Sequence, residues 1–236
     1  MKSVEKFKED KYAARFASAP WLNPLNIIIV GLGGIGSHTA RILATQGHTL
    51  HLFDDDKYEE ANMGPQLMHP NWLGDHKARA QKEMLEEATG NKDIHFFNER
   101  YEKDSPVANV MIAAVDNMPT RKLMLEKWFE NVKRPEHKNS IKLFIDGGME
   151  AEFCVVRAIR THGHYKQWMD DYKEVISEAT QCSFKSTSHL GFMIGGLIVS
   201  ILNNHIANKL DPDGIALRTV PYRTHFSAIT MKTTLS

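Results

Sequence analysis

The chain has 236 residues, with 29 basic side chains balanced by 29 acidic ones. That length favours one domain with a sizeable core, and the zero net charge removes the electrostatic case for nucleic acid or an anionic membrane as partner. There are two cysteines, Cys154 and Cys182, and neither belongs to a CxxC pair, so no zinc is expected.

Residues 1–24 read as an N-terminal helical arm. Tyr12 and Phe16 stand at helical spacing, and Pro20 and Pro24 lead into the first strand. The start is charged and lacks the apolar run of a signal peptide. Together with the cysteine usage this predicts a cytoplasmic protein.

Residues 25–210 read as a nucleotide-binding core. An apolar strand at 27–30 ends in Gly31-Leu32-Gly33-Gly34-Ile35-Gly36, and a helix follows over 37–46 with Gly47 placed to stop it. A second strand, 49–53, runs into Asp54, Asp55 and Asp56. Gly31 permits the tight exit from the strand. Gly33 and Gly34 let bare backbone approach a ligand, and Gly36 lets helix and strand pack together. The helix N-terminus then faces an anion with unpaired N–H groups and the positive end of its dipole. Asp54 lies about 20 residues after the turn, where a carboxylate can accept hydrogen bonds from a ribose. Strand, turn, helix and strand-end acid together predict a nucleotide site on a parallel sheet.

A polar loop over 57–74 is long for a compact domain, which points to function. Asp75 can cap a helix over 76–88, with Ala80, Met84, Leu85 and Ala88 facing inward. Lys77 falls in its first turn, where the dipole disfavours a cation, and so hints at a ligand anion. Strands are expected at 94–97 and, fully buried, at 110–115. The latter ends at Asp116, on the same sheet edge as Gly31 and Asp54. A carboxylate there can hold Mg²⁺ against phosphate oxygens or cap the next helix, 118–131.

Strands at 141–145 and 152–160 follow, the first closed by Asp146-Gly147-Gly148. A turn at 161–163 carries His162, and His164 follows just after it; both read as surface residues. A surface helix over 165–180 and a polar stretch holding Cys182 come next. The helix over 189–209 is apolar on most sides, so it belongs to a core or subunit interface, and Gly191, Gly195 and Gly196 mark close approach of another backbone. Its longest apolar run, about 13 residues, is short of a bilayer span. Residues 211–236 read as antiparallel C-terminal strands interrupted by Pro221. The fold expected is α/β: a Rossmann-like, doubly wound, mostly parallel sheet with antiparallel C-terminal strands, in a single domain over 1–236.

The sequence resembles the ThiF/MoeB/HesA family, bacterial relatives of the ubiquitin-activating E1 enzymes. Gly31 to Ser37 matches the family's phosphate loop. Asp54, Asp56, Asn62 and Gln66 fall in register with its D-x-D-x-V-x-x-x-N-x-x-R-Q. Gly74 and Lys77 resemble its G-x-x-K. Asp116-Asn117 with Arg121 resembles D-N-x-x-x-R, and Asp146-Gly147-Gly148 resembles D-G-G. The resemblance implies ATP binding and adenylation of a carboxylate, usually the Gly-Gly C-terminus of a ubiquitin-like or sulfur-carrier protein. By the same resemblance Gly31, Gly33, Gly34 and Gly36 would face the phosphates and Asp54 the ribose. Asn62, Gln66 and Lys77 would contact the triphosphate, and Asp116 would bind Mg²⁺. Arg15 matches an N-terminal arginine that reaches the partner subunit's ATP in family homodimers, so a homodimer is implied.

Two departures bear on activity. The family's loop arginine is Pro65 here, which supplies neither cation nor donor, leaving Arg15 or Arg79 to substitute. The nucleophilic cysteine of some members has Cys182 as counterpart, close to a helix N-terminus that would depress a thiol pKa; an unreactive cysteine is the alternative. Cys154, in an expected buried strand, is a poor nucleophile. Two other functions share part of the pattern. A catalytically incomplete nucleotide-binding or scaffolding partner would explain Pro65. An NAD-dependent oxidoreductase would share the glycine turn and Asp54 but leaves Asn62, Gln66, Lys77 and Asp116 without a role.

Overall fold

A computed structural model describes residues 18–177, 188–211 and 213–236. Residues 1–17 of the expected N-terminal arm, with Arg15, and Cys182 lie outside the described residues, and 18–24 form turns and irregular chain rather than helix.

Eight strands form one sheet in the order β3-β2-β1-β4-β5-β6-β7-β8. They are β1 (Asn26–Val30), β2 (Thr49–Phe53), β3 (Ile94–Phe97), β4 (Val110–Ala113), β5 (Leu143–Glu150), β6 (Phe153–Ile159), β7 (Arg223–Ser227) and β8 (Lys232–Leu235). The first five run parallel and the last three antiparallel. The strand order reverses between β1 and β4, so the crevice outside their carboxyl ends is where a sheet of this kind takes a ligand.

The helices are α1 (Gly36–Thr45), α2 (Lys77–Thr89), α3 (Met118–Val132), α4 (His162–Ser177) and α5 (Ser188–Leu210). The pleat divides the strand residues between two cores. Ile27, Ile29, Leu50 and Leu52 pack with Leu43 of α1, Leu85 of α2 and Ile198 of α5. Ile28, Val30, Phe53 and Met111 pack with Trp128 of α3 and Trp168 of α4. Helices on both faces require strands buried on both faces, which is why β1 and β4 are apolar without alternation.

The structure corrects several boundaries. Asp75 does not cap α2: the cap position is His76, and the Asp75 carboxylate accepts from Arg79 Nη2 at 2.8 Å instead. Ala88 is exposed and Thr89 takes the inward position at the helix end. Asn117 rather than Asp116 caps α3, its side chain accepting from the Thr120 N–H at 3.0 Å. Asp146-Gly147-Gly148 does not close β5 but lies within it, because the pairing with β6 extends the strand through Glu150. The turn expected at 161–163 is already the first turn of α4. That helix is not a surface element throughout, since Trp168 is 2% exposed. Helix α5 has 23 residues and carries Leu190, Ile194, Ile198, Leu202 and Ile206 into the core.

Candidate functional site

The glycine turn leaves β1 at Gly31, whose φ of 89° requires glycine. A Cβ there would lie 2.7 Å from the Ala114 carbonyl oxygen, so β1 and β4 can abut only through bare backbone. A Cβ on Gly36 would lie 1.8 Å from the Gly31 oxygen. These two glycines are demanded by the turn's own packing. Gly33 differs: its nearest neighbour is the Gln66 amide nitrogen, 3.9 Å from where a Cβ would sit. The N-terminus of α1 has no side-chain cap and no acid in its first turn. The Ser37 and Thr39 N–H groups are taken by the Gly33 and Ile35 carbonyls, each at 3.1 Å, so the turn offers an anion the open approach at Gly33 and the positive end of the helix dipole.

Asp54, the residue after β2, braces the turn. One carboxylate oxygen accepts from the Leu32 N–H at 2.6 Å and the other from the Asp56 N–H at 2.9 Å. Burial raises its pKa, opposed by those N–H groups and by Lys77. Two N–H donors use part of a carboxylate's capacity, and lone pairs are left for a hydroxyl pair.

Lys77 is 5% exposed. Its ammonium pairs with Asp56 at 2.8 Å, and its backbone N–H donates to the Asp56 carbonyl at 3.0 Å. The unfavourable first-turn lysine thus has a physical account: it is held over the end of β2 by an acid that is itself two-thirds exposed. Incoming phosphate oxygens would offer Lys77 a second, stronger set of acceptors. Asp55 pairs with Arg100 at 2.8 Å. Among the described residues Asp54, Asp55 and Asp56 form the one cluster whose ligand atoms, within 4.8 Å of one another, suit a metal. Each of the three already has a protein partner. Asp116, two residues past the Ala114 N–H that bonds to Val30, is exposed, and among the described residues its carboxylate has no hydrogen-bond or ion-pair partner, so both oxygens are available to a hard cation.

The 57–74 loop folds over the turn. Tyr58, 2% exposed, accepts from Gln81 at 2.6 Å, and both bond the Leu67 carbonyl. The Ser37 hydroxyl bridges the loops, donating to the Gly33 carbonyl at 2.7 Å and accepting from the Leu67 N–H at 3.1 Å. Gln66 thereby lies over Gly33 with its Oε1 buried and unpartnered. An orphaned acceptor beside open backbone asks for a donor that a ligand can bring. Asn62 is turned into its own 3₁₀ turn, accepting from the Glu59 N–H at 2.9 Å. Pro65 puts its carbonyl 3.2 Å from His38 Nε2, and Arg79 is occupied by Asp75. Neither supplies a free cation. Cys154 is buried and its thiol pKa is pushed up to about 11, which removes it as a nucleophile.

Two residues outside the expected site position it. Arg121 Nε donates to the Val115 carbonyl at 2.6 Å, next to Asp116, and its Nη1 pairs with Asp146 at 2.5 Å. Asp146, 1% exposed, also takes Trp168 Nε1 at 2.9 Å and Arg157 at 3.4 Å. The sequence signal for this network was a charge in each of two apolar strands, LFIDGGME and FCVVRAI, which register as Asp146 against Arg157.

The sequence model of the ThiF family matches residues 18–233. Ubiquitin-like modifier-activating enzyme 5 of Dictyostelium discoideum is 38% identical over 104 residues, which are 44% of this chain and 24% of that protein. The Gallus gallus enzyme of the same name is 37% identical over 97 residues, 41% of this chain and 22% of its own length. The chain thus spans about a quarter of the curated relatives it matches. In solved structures the fold resembles E. coli MccB with ATP, at TM-score 0.68 and 15% identity, covering 100% of this chain and 74% of that one. PaaA gives the same TM-score and identity over 100% of this chain and 71% of its own.

Proposed function

Because the chain belongs to the ThiF family, we propose that it activates a carboxylate with ATP, forming an acyl-adenylate. A carboxylate oxygen of the acceptor attacks the α-phosphorus, the bond to the β-phosphate oxygen breaks, and pyrophosphate leaves. The observation that supports this most is the open Gly33 backbone at the uncapped start of α1, overlaid by Gln66, with buried Lys77 held by Asp56 past the end of the neighbouring strand β2.

In this reading Gly31, Gly33, Gly34 and Gly36 form the phosphate turn and Asp54 takes the ribose. Asn62, Gln66 and Lys77 contact the triphosphate, and Asp116 holds Mg²⁺, which would neutralise charge on the phosphate oxygens. The chain's own contribution is positioning and stabilisation of negative charge, by Lys77 and the positive end of the α1 dipole. Asp56 keeps the Lys77 ammonium in place before ATP arrives. The acceptor we favour is a ubiquitin-like or sulfur-carrier protein ending in Gly-Gly, in keeping with the curated relatives' names, and the setting we favour is a cytoplasmic homodimer. Arg15 and Cys182 would complete the site from outside the described residues.

The test is ATP–pyrophosphate exchange with a β-grasp protein ending in Gly-Gly as the carboxylate. Exchange that falls at least tenfold in Asp116→Ala is expected, on the scale of one lost electrostatic stabiliser, ~10²–10³ in rate. ATP binding without exchange would overturn the assignment.

Pro65 favours a second reading, a nucleotide-binding partner without activity of its own. No guanidinium stands at that position, and Arg79 is paired elsewhere. Pro65→Arg discriminates: a large gain in exchange means that the wild type is incomplete, and no gain means that the site is complete without an arginine.

A further inference from the structure

At the opposite edge of the sheet from the glycine turn, Lys138, Lys142, Arg160 and Lys209 surround a cavity of about 420 Å³. Lys142 enters β5 and Arg160 leaves the antiparallel β6, so both stand at the amino edge of the parallel strands. Among the described residues no carboxylate lines the cavity. Among the described residues none of the four cations forms an ion pair. Four cations thus gather around one cavity without an ion-paired acid among the described residues, and they repel one another.

Two of them are fixed by neutral acceptors. Lys142 Nζ donates to the Val132 carbonyl at 2.7 Å and Arg160 Nη2 to the Val220 carbonyl at 2.6 Å. These bonds hold the side chains without cancelling charge. Arg160 Nε is buried and unpartnered. Burial lowers the pKa of Arg160. His205, 5% exposed on the cavity wall, is pushed down to about 4, by burial first and by the positive charge of Arg160 and Lys209 after it. Asp211, the acid that follows closest on Lys209, is turned into its own loop, accepting from Gly214 and Ala216 N–H at 3.1 and 3.0 Å. Thr161 leads into α4, whose positive dipole end adds to the field.

We propose that this cavity is a second anion site that binds a compact, multiply charged phosphate-class anion, either free pyrophosphate or a phosphomonoester. The volume suits a small ligand, and a lysine–arginine set with an unused guanidinium donor suits phosphate oxygens. The site is separate from the ATP crevice and stands whether or not the adenylation reading does.

Calorimetric titration of pyrophosphate, and in parallel of phosphoserine, into three proteins tests it: wild type, the double variant Lys138→Glu with Lys209→Glu, and Lys77→Ala. Lys138 and Lys209 are exposed, so charge reversal leaves the fold intact, which the melting temperature checks. Expected is one binding event that weakens by about tenfold or more in the double variant and persists in Lys77→Ala. Arg160→Gln, which removes the guanidinium charge, is expected to weaken the same event. Response to phosphoserine points to phosphomonoesters, and response to pyrophosphate alone to an inorganic ligand. Binding that is unchanged in the double variant, or that vanishes wholly with Lys77, overturns the proposal.

Discussion

Gly33 and Gly36 stand three residues apart in one turn and answer to different constraints. Gly36→Ala drives a methyl into the Gly31 carbonyl, 1.8 Å away, where backbone cannot yield. Unfolding experiments should show a loss beyond the ~1–3 kcal/mol of ordinary overpacking. Gly33→Ala meets nothing closer than 3.9 Å, so its stability should stay within about 1 kcal/mol of wild type while ATP binding weakens. Equal stability effects would contradict the division of labour. Asp54→Ala strips acceptors from the Leu32 and Asp56 N–H groups and should cost ~1–3 kcal/mol besides any loss at the ribose. The glycine pattern and the strand-end acids were legible in the sequence because φ sign and charge placement are local properties. The Lys77–Asp56 pair was not, since it joins residues 21 positions apart in the chain. Only the disfavoured first-turn position of Lys77 hinted that something held it.

Element packing shows what a close-approach glycine means here. On α5, a Cβ on Gly191 would lie 2.5 Å from the Gly34 carbonyl, and one on Gly195 would lie 3.1 Å from His38 Cβ. Helix α5 therefore seats directly on the glycine turn and α1. Gly196, read from sequence as a third such position, faces open space. Gly191→Ala should displace the turn and weaken nucleotide binding. Gly196→Ala should instead stabilise, by up to about 1 kcal/mol of helix propensity, as read by denaturant midpoint. Strand positions were legible to within a residue or two where both faces are buried, β4 ending at Ala113 rather than 115, because an apolar run bounded by turn residues admits little else. The edges of β5 were not, because Asp146-Gly147-Gly148 reads as a strand terminator until its buried partners are known. Asp146→Ala removes the carboxylate shared by Arg121, Arg157 and the Trp168 N–H, leaving Arg121 only the Val115 carbonyl and Arg157 only Asp171. The loss should be ~3–5 kcal/mol, with the Asp116 turn loosened through Arg121.

Across the whole molecule, two buried histidines, His48 and His205, lie at the amino edge of the sheet, away from the glycine turn. His48 is 1% exposed, its Nδ1 accepts from the Leu25 N–H at 3.1 Å, and burial pushes its pKa down to about 4. His205 is held neutral in the same range. The unfolded chain protonates both near pH 6.5, and the native state resists until about pH 4. Between those values the unfolded state binds more protons, so stability falls as pH drops, by up to about 1.4 kcal/mol per pH unit per histidine. Urea midpoints from pH 7 to 4 should show that slope, reduced in His48→Gln; a flat profile would refute it. The doubly wound class was legible from strand–helix alternation. The order of the strands was not, because pairing is a tertiary choice that no single stretch encodes. The central claim is that the crevice over Gly33 takes ATP. Calorimetric titration of ATP with Mg²⁺ into wild type and Lys77→Ala tests it most directly. Saturable binding that weakens by about tenfold or more in the variant is the predicted result. Absence of binding to wild type, or equal affinity in the two proteins, would contradict it.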